Sequence, residues 1–319
     1  MRTVNRILVP TDFSNCSNDA LLQAVALAKV HDARLDVLHV LADVDDPLRV
    51  ESYGEQQEDV TLDVLRAEAD TQMHAVLSSL PVDTVAVRRV QAVGDPCEAI
   101  LNHAEAETID LIVLGTHGRK GVSRWVLGSV AEMVVRKAAC SVLVVRQKRQ
   151  RTTDLRRIGV AIDLSEQSRP VLEQAIGLAR ENGARLDVLH VIEPFAVPVS
   201  LTGIATLSDL VPDIEDKIRE RIHWMMDAAV KTPFPYELVI QEGHPVHVLT
   251  EYAENNRLDL IVMGTHGNTG LTRFLLGSVA ERVLRYAPCP VFIAKTRETE
   301  AEEPLAHPAT ERFEMGEVL

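Results

Sequence analysis

The chain repeats itself, and no other feature limits its fold as tightly. The octapeptide ARLDVLHV at Ala33–Val40 recurs letter for letter at Ala184–Val191, DLIVLGTHG at Asp110–Gly118 returns as DLIVMGTHG at Asp259–Gly267, and LGSVAE begins at Leu127 and again at Leu276. Early matches are offset by 151 positions and late ones by 149, so the first copy carries two extra residues between Val40 and Gly94. A period near 150 is far too long for a solenoid unit, and each copy is long enough to be a domain with its own core. The 319 residues read as two tandem domains.

Within a copy, short β-branched runs alternate with helical patterns. Arg6–Pro10, Leu35–Val40, Thr84–Val90, Leu111–Leu114 and Val142–Val145 predict strands, matched by Ile158–Ile162, Leu186–Ile192, Tyr236–Ile240, Leu260–Met263 and Val291–Ala294. Leu62, Leu65, Ala69, Met73, Val76 and Leu80 form one apolar helical stripe, and Ile214, Ile218, Ile222, Met225 and Ala229 form another. Asp95-Pro96-Cys97-Glu98 has the acid, proline and Glu of a helix start, and His244-Pro245 is its weaker counterpart. Five strands joined by helices predict a parallel sheet covered on both faces, once per copy, so two such sheets. Aromatics at 4% against 46% hydrophobic residues agree with the aliphatic core of a doubly covered sheet.

The expected boundaries are 1–147 and 157–296 for the domains, 148–156 for a basic linker, and 297–319 for an acidic tail. That tail holds seven Glu against two Arg and has too few large apolar residues to fold. The net charge of −14 repels nucleic acid and anionic lipid. No apolar stretch is long enough to span a membrane and the start lacks a secretory signal, so a cytoplasmic protein is expected. Cys16, Cys97, Cys140 and Cys289 form no CxxC pair and read as small buried residues rather than zinc ligands or disulfides.

The pattern that points to chemistry is Gly115-Thr116-His117-Gly118, nine residues, then Gly128-Ser129, repeated as Gly264-Thr265-His266-Gly267, nine residues, then Gly277-Ser278. Each begins where a strand should end and finishes where a helix should begin, at Val130 and Val279. Glycines permit close backbone approach, the first helical turn offers unpaired N–H groups and a positive dipole end, and the serine hydroxyls add donors. Such a loop seats an anion, although it serves equally as a turn followed by an N-cap serine.

A second constellation, Pro10-Thr11-Asp12-Phe13-Ser14, follows the first strand and is matched by Ala161-Ile162-Asp163-Leu164-Ser165. Ligands of open parallel sheets sit at the carboxyl ends of strands where strand order reverses. Asp12 and Asp163 are therefore candidates to face a ribose, an adenine amino group or a metal, or else they cap the loop or the next helix. Facing phosphate, they would need Mg2+ between.

On these residues both copies resemble the universal stress protein domain, whose nucleotide-binding members carry G-x2-G-x9-G-[S/T]. Gly115, Gly118, Gly128 and Ser129 match it, as do Gly264, Gly267, Gly277 and Ser278. Asp12 and Asp163 resemble the family's residue near adenosine, and Val40 and Val191 the position whose backbone meets adenine. The resemblance spans about Asn5–Arg146 and Arg157–Lys295. It implies Rossmann-like five-stranded sheets of order 3-2-1-4-5, domain pairing through the last strand, and ATP as ligand. Arg119 and Lys120 have Asn268 and Thr269 as their counterparts in the second loop; facing the phosphates, they would give the first site the tighter hold on triphosphate, and otherwise they are solvated loop charges. His117 and His266 sit in the loops without an evident acid or nucleophile.

The leading expectation is an ATP-binding stress-response sensor, an internal pseudo-dimer with one nucleotide per domain and a regulatory protein partner, able also to form a homodimer. A weak ATP hydrolase or phosphoryl- or adenylyl-transfer enzyme is the alternative, though no P-loop or kinase signature is present. A nucleotide-free interaction protein is the third reading.

Overall fold

The computed structural model describes residues 4–41, 62–116, 127–146, 154–194, 197–199, 203–205, 213–230, 232–265 and 276–295. Most of the expected linker and the whole acidic tail lie outside these residues.

The first half is built from strands β1 (Arg6–Pro10), β2 (Arg34–Leu41), β3 (Val87–Val93), β4 (Leu111–Gly115) and β5 (Ser141–Val145). Between them run helices α1 (Asn15–His31), α2 (Leu62–Ser78), α3 (Pro96–Ala106) and α4 (Ser129–Lys137). The second half repeats this order with β6 (Arg157–Ile162), α5 (Ser168–Asn182), β7 (Arg185–Ile192), α6 (Ile214–Ala229), β10 (Tyr236–Glu242), α7 (Pro245–Asn255), β11 (Leu260–Gly264), α8 (Ser278–Tyr286) and β12 (Val291–Ala294). Among the described residues, a short antiparallel pair, β8 (Val197–Val199) with β9 (Gly203–Ala205), lies in the second half, in a segment where the two copies' sequences diverge most.

Each half is parallel and ordered 3-2-1-4-5, as expected, and the two five-stranded halves meet through their last strands: β5 and β12 pair antiparallel, so the two expected sheets are joined into one continuous sheet of ten strands. Val291 faces Val144, Phe292 faces Leu143 and Ile293 faces Val142. The reason is visible in the strands themselves. All five residues of β5 and all four of β12 are buried. A strand so apolar on both faces cannot remain a solvent-exposed edge, and pairing the two edges satisfies both rows of backbone donors and acceptors.

Side chains then alternate across the seam. Leu143, Val145, Phe292 and Ala294 join the core under α1, α2, α5 and α6, while Val142, Val144, Val291 and Ile293 join the core on the other face. Both cores run through both halves. Burying one such aliphatic or aromatic side chain contributes about 1.5–3 kcal/mol, so the seam is a core and not a loose contact.

Local signals explain the elements that position the loops. Ser14 caps α1, its hydroxyl accepting from the Ser17 N–H at 3.2 Å. Ala20, Ala24 and Ala28 lie one above the other on the buried face of that helix, so it can approach the sheet closely. Asp95 caps α3 as expected, accepting from the Glu98 N–H at 3.0 Å, whereas His244 makes no side-chain cap for α7. The third strand runs three residues later than the sequence predicts, Val87–Val93 instead of Thr84–Val90. Val82 and Val85 pack against the core from the preceding loop instead of continuing the strand. Three of the four cysteines are buried, all four are free, and Cys97 is half-buried.

Candidate functional site

The sheet order places β1 between β2 and β4, so strand order reverses between β1 and β4, and the carboxyl ends of these two neighbouring strands border one crevice. Pro10, Thr11 and Asp12 leave β1, Gly115 ends β4, Gly128 and Ser129 open α4, and Val40 is the penultimate residue of β2. In the second half Ala161, Ile162, Asp163, Val191, Gly264, Gly277 and Ser278 take the same places. His117, Gly118, Arg119 and Lys120, with His266 and Gly267, lie outside the described residues.

The two ends of each glycine loop are clasped. The Gly128 N–H donates to the Thr116 carbonyl at 2.7 Å and the Gly277 N–H to the Thr265 carbonyl at 2.8 Å. Helices α4 and α8 therefore start directly beside the ends of β4 and β11. Both begin one residue earlier than predicted. Ser129 and Ser278 are the first helical residues, and Gly128 and Gly277 are the N-caps, without a side-chain cap bond. This removes the N-cap reading of the two serines. Ser129 and Ser278 are exposed, as is Val130, while Val279 is half-buried.

The glycines are there for different reasons. Gly128 and Gly277 have φ of −63° and −60°, which any residue adopts, so backbone conformation does not demand glycine there. A Cβ on Gly115 would lie 2.9 Å from the backbone carbon and oxygen of Cys16, so this glycine lets the first turn of α1 pack against β4. Cys16 Sγ lies 3.5 Å from Thr116 Oγ1, close to that contact.

Sequence reasoning missed the backbone that follows each aspartate. Phe13 and Leu164 both take left-handed φ, 63° and 65°, in conformations that bulky side chains seldom adopt. The turn is closed by the aspartates: Asp12 Oδ1 accepts from the Ser14 N–H at 3.1 Å and Asp163 Oδ1 from the Ser165 N–H at 3.2 Å. So the capping role weighed for these residues is real in both halves. Also missed were His39 and His190. Their Nδ1 atoms lie 2.7 Å from the Thr11 carbonyl and 3.0 Å from the Ile162 carbonyl, tying β2 and β7 to the loops after β1 and β6. Burial pushes the His190 pKa down, against the opposing effects of the Ile162 carbonyl and Asp163, which favours a neutral ring donating through Nδ1. The signal was in the repeat, since LHV is shared letter for letter.

The halves differ around the aspartates. Asp163 Oδ1 also accepts from Ser165 Oγ at 2.6 Å and Ser168 Oγ at 2.7 Å. In the first half the equivalent serine, Ser17, turns elsewhere: its hydroxyl donates to the Ser14 carbonyl at 3.0 Å and lies 3.2 Å from Thr11 Oγ1. The second half has Ile162 where Thr11 stands, so Ser168 has no hydroxyl there to meet. Among the described residues no group of three His, Cys, Asp or Glu is placed to hold a metal ion. No helix among them is long and apolar enough to cross a membrane.

The model of the Universal stress protein family matches residues 3–146 and again 154–295. Universal stress protein MJ0531 of Methanocaldococcus jannaschii is 34% identical over 142 residues, 44% of this chain and 82% of that protein. Universal stress protein Rv2005c of Mycobacterium tuberculosis is 28% identical over 300 residues, 92% of this chain and 98% of its own length. Among solved structures, a universal stress protein from Archaeoglobus fulgidus covers 93% of this chain and 98% of its own, with a TM-score of 0.61 and 23% identity. That likeness concerns the fold.

Proposed function

Since the chain belongs to the universal stress protein family, with two of its domains in tandem, we propose that it binds ATP, one molecule per domain, and serves as a nucleotide-responsive regulator in a stress response. One observation carries this reading. Twice, a strand end and a helix start are clasped by a single backbone bond, with a glycine N-cap whose conformation does not require glycine and an exposed serine just inside the helix. A helix start of that kind presents unpaired N–H groups and a positive dipole end, and a missing side chain leaves room for a phosphate oxygen to approach them.

In this reading Gly115, Gly118, Gly128, Ser129 and Val130 surround the phosphates of the first nucleotide with His117 and Arg119, and Gly264, His266, Gly267, Gly277, Ser278 and Val279 those of the second. Pro10, Thr11, Asp12 and Val40 hold the first nucleoside, and Ala161, Ile162, Asp163 and Val191 the second. The aspartates act on the nucleoside part, which needs no metal. Mg2+ enters only with the triphosphate. The nucleotide is then a folding ligand as well as a signal, adding about 2.7 kcal/mol at a hundredfold excess over Kd.

The test is to release ligand from purified protein with acid and identify it by chromatography, for the native chain and for the pair Gly128→Val and Gly277→Val. Adenine nucleotide near two per chain is expected natively, and retention is expected to vanish in the variant while its helical circular dichroism is kept. Equal occupancy in both proteins would falsify the assignment.

A further inference from the structure

Strands β5 and β12 each end in a cation. Arg146 follows Val145 and Lys295 follows Ala294, at equivalent places in the repeat. Both reach across the seam. Arg146 donates from one guanidinium nitrogen to the carbonyls of Arg285 at 2.7 Å and Ala287 at 2.8 Å, at the C-terminal end of α8. Lys295 Nζ donates to the carbonyls of Arg136 at 3.4 Å and Ala138 at 2.5 Å, at the C-terminal end of α4. Each domain thus places positive charge on the carbonyls that end its neighbour's final helix. Glu132 of α4 and Arg285 of α8, 3.5 Å apart, add an ion pair between the same two helices.

The gripped helices are the two that begin at the glycine loops. Each is nine residues long, about 13.5 Å at the helical rise. An anion at the start and a cation at the end favour the same dipole and attract each other. For a multiply charged phosphate at that range the effect is about three- to tenfold in affinity.

We propose that Arg146 and Lys295 form a reciprocal clamp through which the two loops respond to each other. An anion held at the start of α4 draws Lys295, and with it β12 and the second loop, more tightly onto the seam. An anion at the start of α8 acts on the first half through Arg146. This rests on the glycine loops being nucleotide seats.

The two cations are not equivalent, and the difference supplies a readout. Lys295 is faced by Cys140 ahead of β5, by the end of α4, where Arg136 turns back to Glu132 at 3.1 Å and Lys137 is the last helical residue, and by Gln174 of α5, whose amide donates to the Lys295 carbonyl at 3.3 Å. Its own N–H donates to Ser141 Oγ at 3.1 Å. Burial lowers its pKa to about 8, with Cys140 opposing, whereas a guanidinium stays charged. A phosphate at α4 favours the ammonium form, so binding takes up a proton near pH 8 and weakens as pH rises past it.

The experiment is calorimetric titration of the full chain with Mg-ATP at pH 7 and pH 9.5, for the native protein and for Lys295→Arg, Lys295→Met and Arg146→Met. Native affinity should fall three- to tenfold between the two pH values, and Lys295→Arg should flatten that fall. Lys295→Met and Arg146→Met should each weaken both binding events at pH 7. The clamp is overturned if native protein and Lys295→Arg share one pH profile, or if each Met variant weakens one event and leaves the other untouched. Absence of any ATP binding would instead fail the nucleotide reading, and thermal unfolding then judges the clamp by itself. The double Met variant should split one transition into two, and an unsplit transition overturns it.

Discussion

The same eight residues, ARLDVLHV, fold into β2 and β7, yet the buried aspartate inside them is neutralised in two different ways. Asp36 sits in a crowd: Arg34 at 2.9 Å, Arg88 at 2.5 Å and His103 at 2.9 Å all reach its carboxylate, and Arg88 continues to Glu107 at 3.0 Å. Asp187, fully buried, has Arg157 at 2.6 Å and the Tyr252 hydroxyl at 3.1 Å. Equivalent residues have exchanged roles. Arg88 is replaced by Glu237 and His103 by Tyr252, while Arg157, whose counterpart Arg6 bonds to Glu107, turns inward instead. A strand's own sequence fixes where a charge is buried, but the neighbouring strand and helix decide how that charge is met.

The comparison breaks most clearly at Asp187. Asp187→Asn leaves Arg157 with a neutral amide and only the longer 3.8 Å contact to a carboxylate, that of Glu237, and should cost about 3–5 kcal/mol in chemical denaturation. Asp36→Asn should cost less, about 2–3 kcal/mol, because Glu107 still receives Arg88. If the two variants lose equal stability, the difference in company is without energetic meaning. Burial works against ionisation of Asp36, but hydrogen bonds from Arg88, His103 and Arg34 outweigh it and hold its pKa below the usual 3.8. That stability is present above pH 3.8 and lost as pH falls through the depressed value, so Asp36→Asn should blunt the acid limb of a pH–stability curve.

Tyr252→Phe should remove about 1–2 kcal/mol through the lost bonds to Asp187 and Arg157. Burial and the Asp187 carboxylate push the Tyr252 pKa up to about 12. A raised pKa is a stabilisation present below pH 10 and lost as pH rises toward 12, and the Phe variant should show no such slope in that window. The smallest expected effect compares two helix ends. Helix α1 closes on Asp32 with φ 52°, while α5 closes on Gly183 with φ 62°. Asp32→Gly should therefore raise thermal stability by about 0.5–1 kcal/mol, and Gly183→Asp should lower it by a similar amount.

Periodicity and the internal repeat made the succession of helices and strands along the chain, the Asp95 cap and the places of the glycine loops legible, because these depend on nearby residues, whereas the strand order 3-2-1-4-5 came only from the family resemblance. What was not legible depends on distant ones. Val85 looks like a strand residue until α2 and the sheet are present for it to pack against. The left-handed Phe13 and Leu164 carry no glycine to announce them, since an aspartate one residue earlier holds the turn. Nothing in RQKRQRTTDLRR distinguishes Arg146, which crosses the seam, from the charges beside it. For the glycine loops, sequence found the motif but not the division of labour between Gly115, needed by α1, and Gly128, which the backbone does not need at all.

The antiparallel join of β5 to β12 also fixes how this protein presents itself to others. All strands of one half point their carboxyl ends the same way, and the join turns the second half around, so the two crevices open back to back. A partner with a flat docking face can inspect one of them at a time, and reading both requires either an embrace or two visitors.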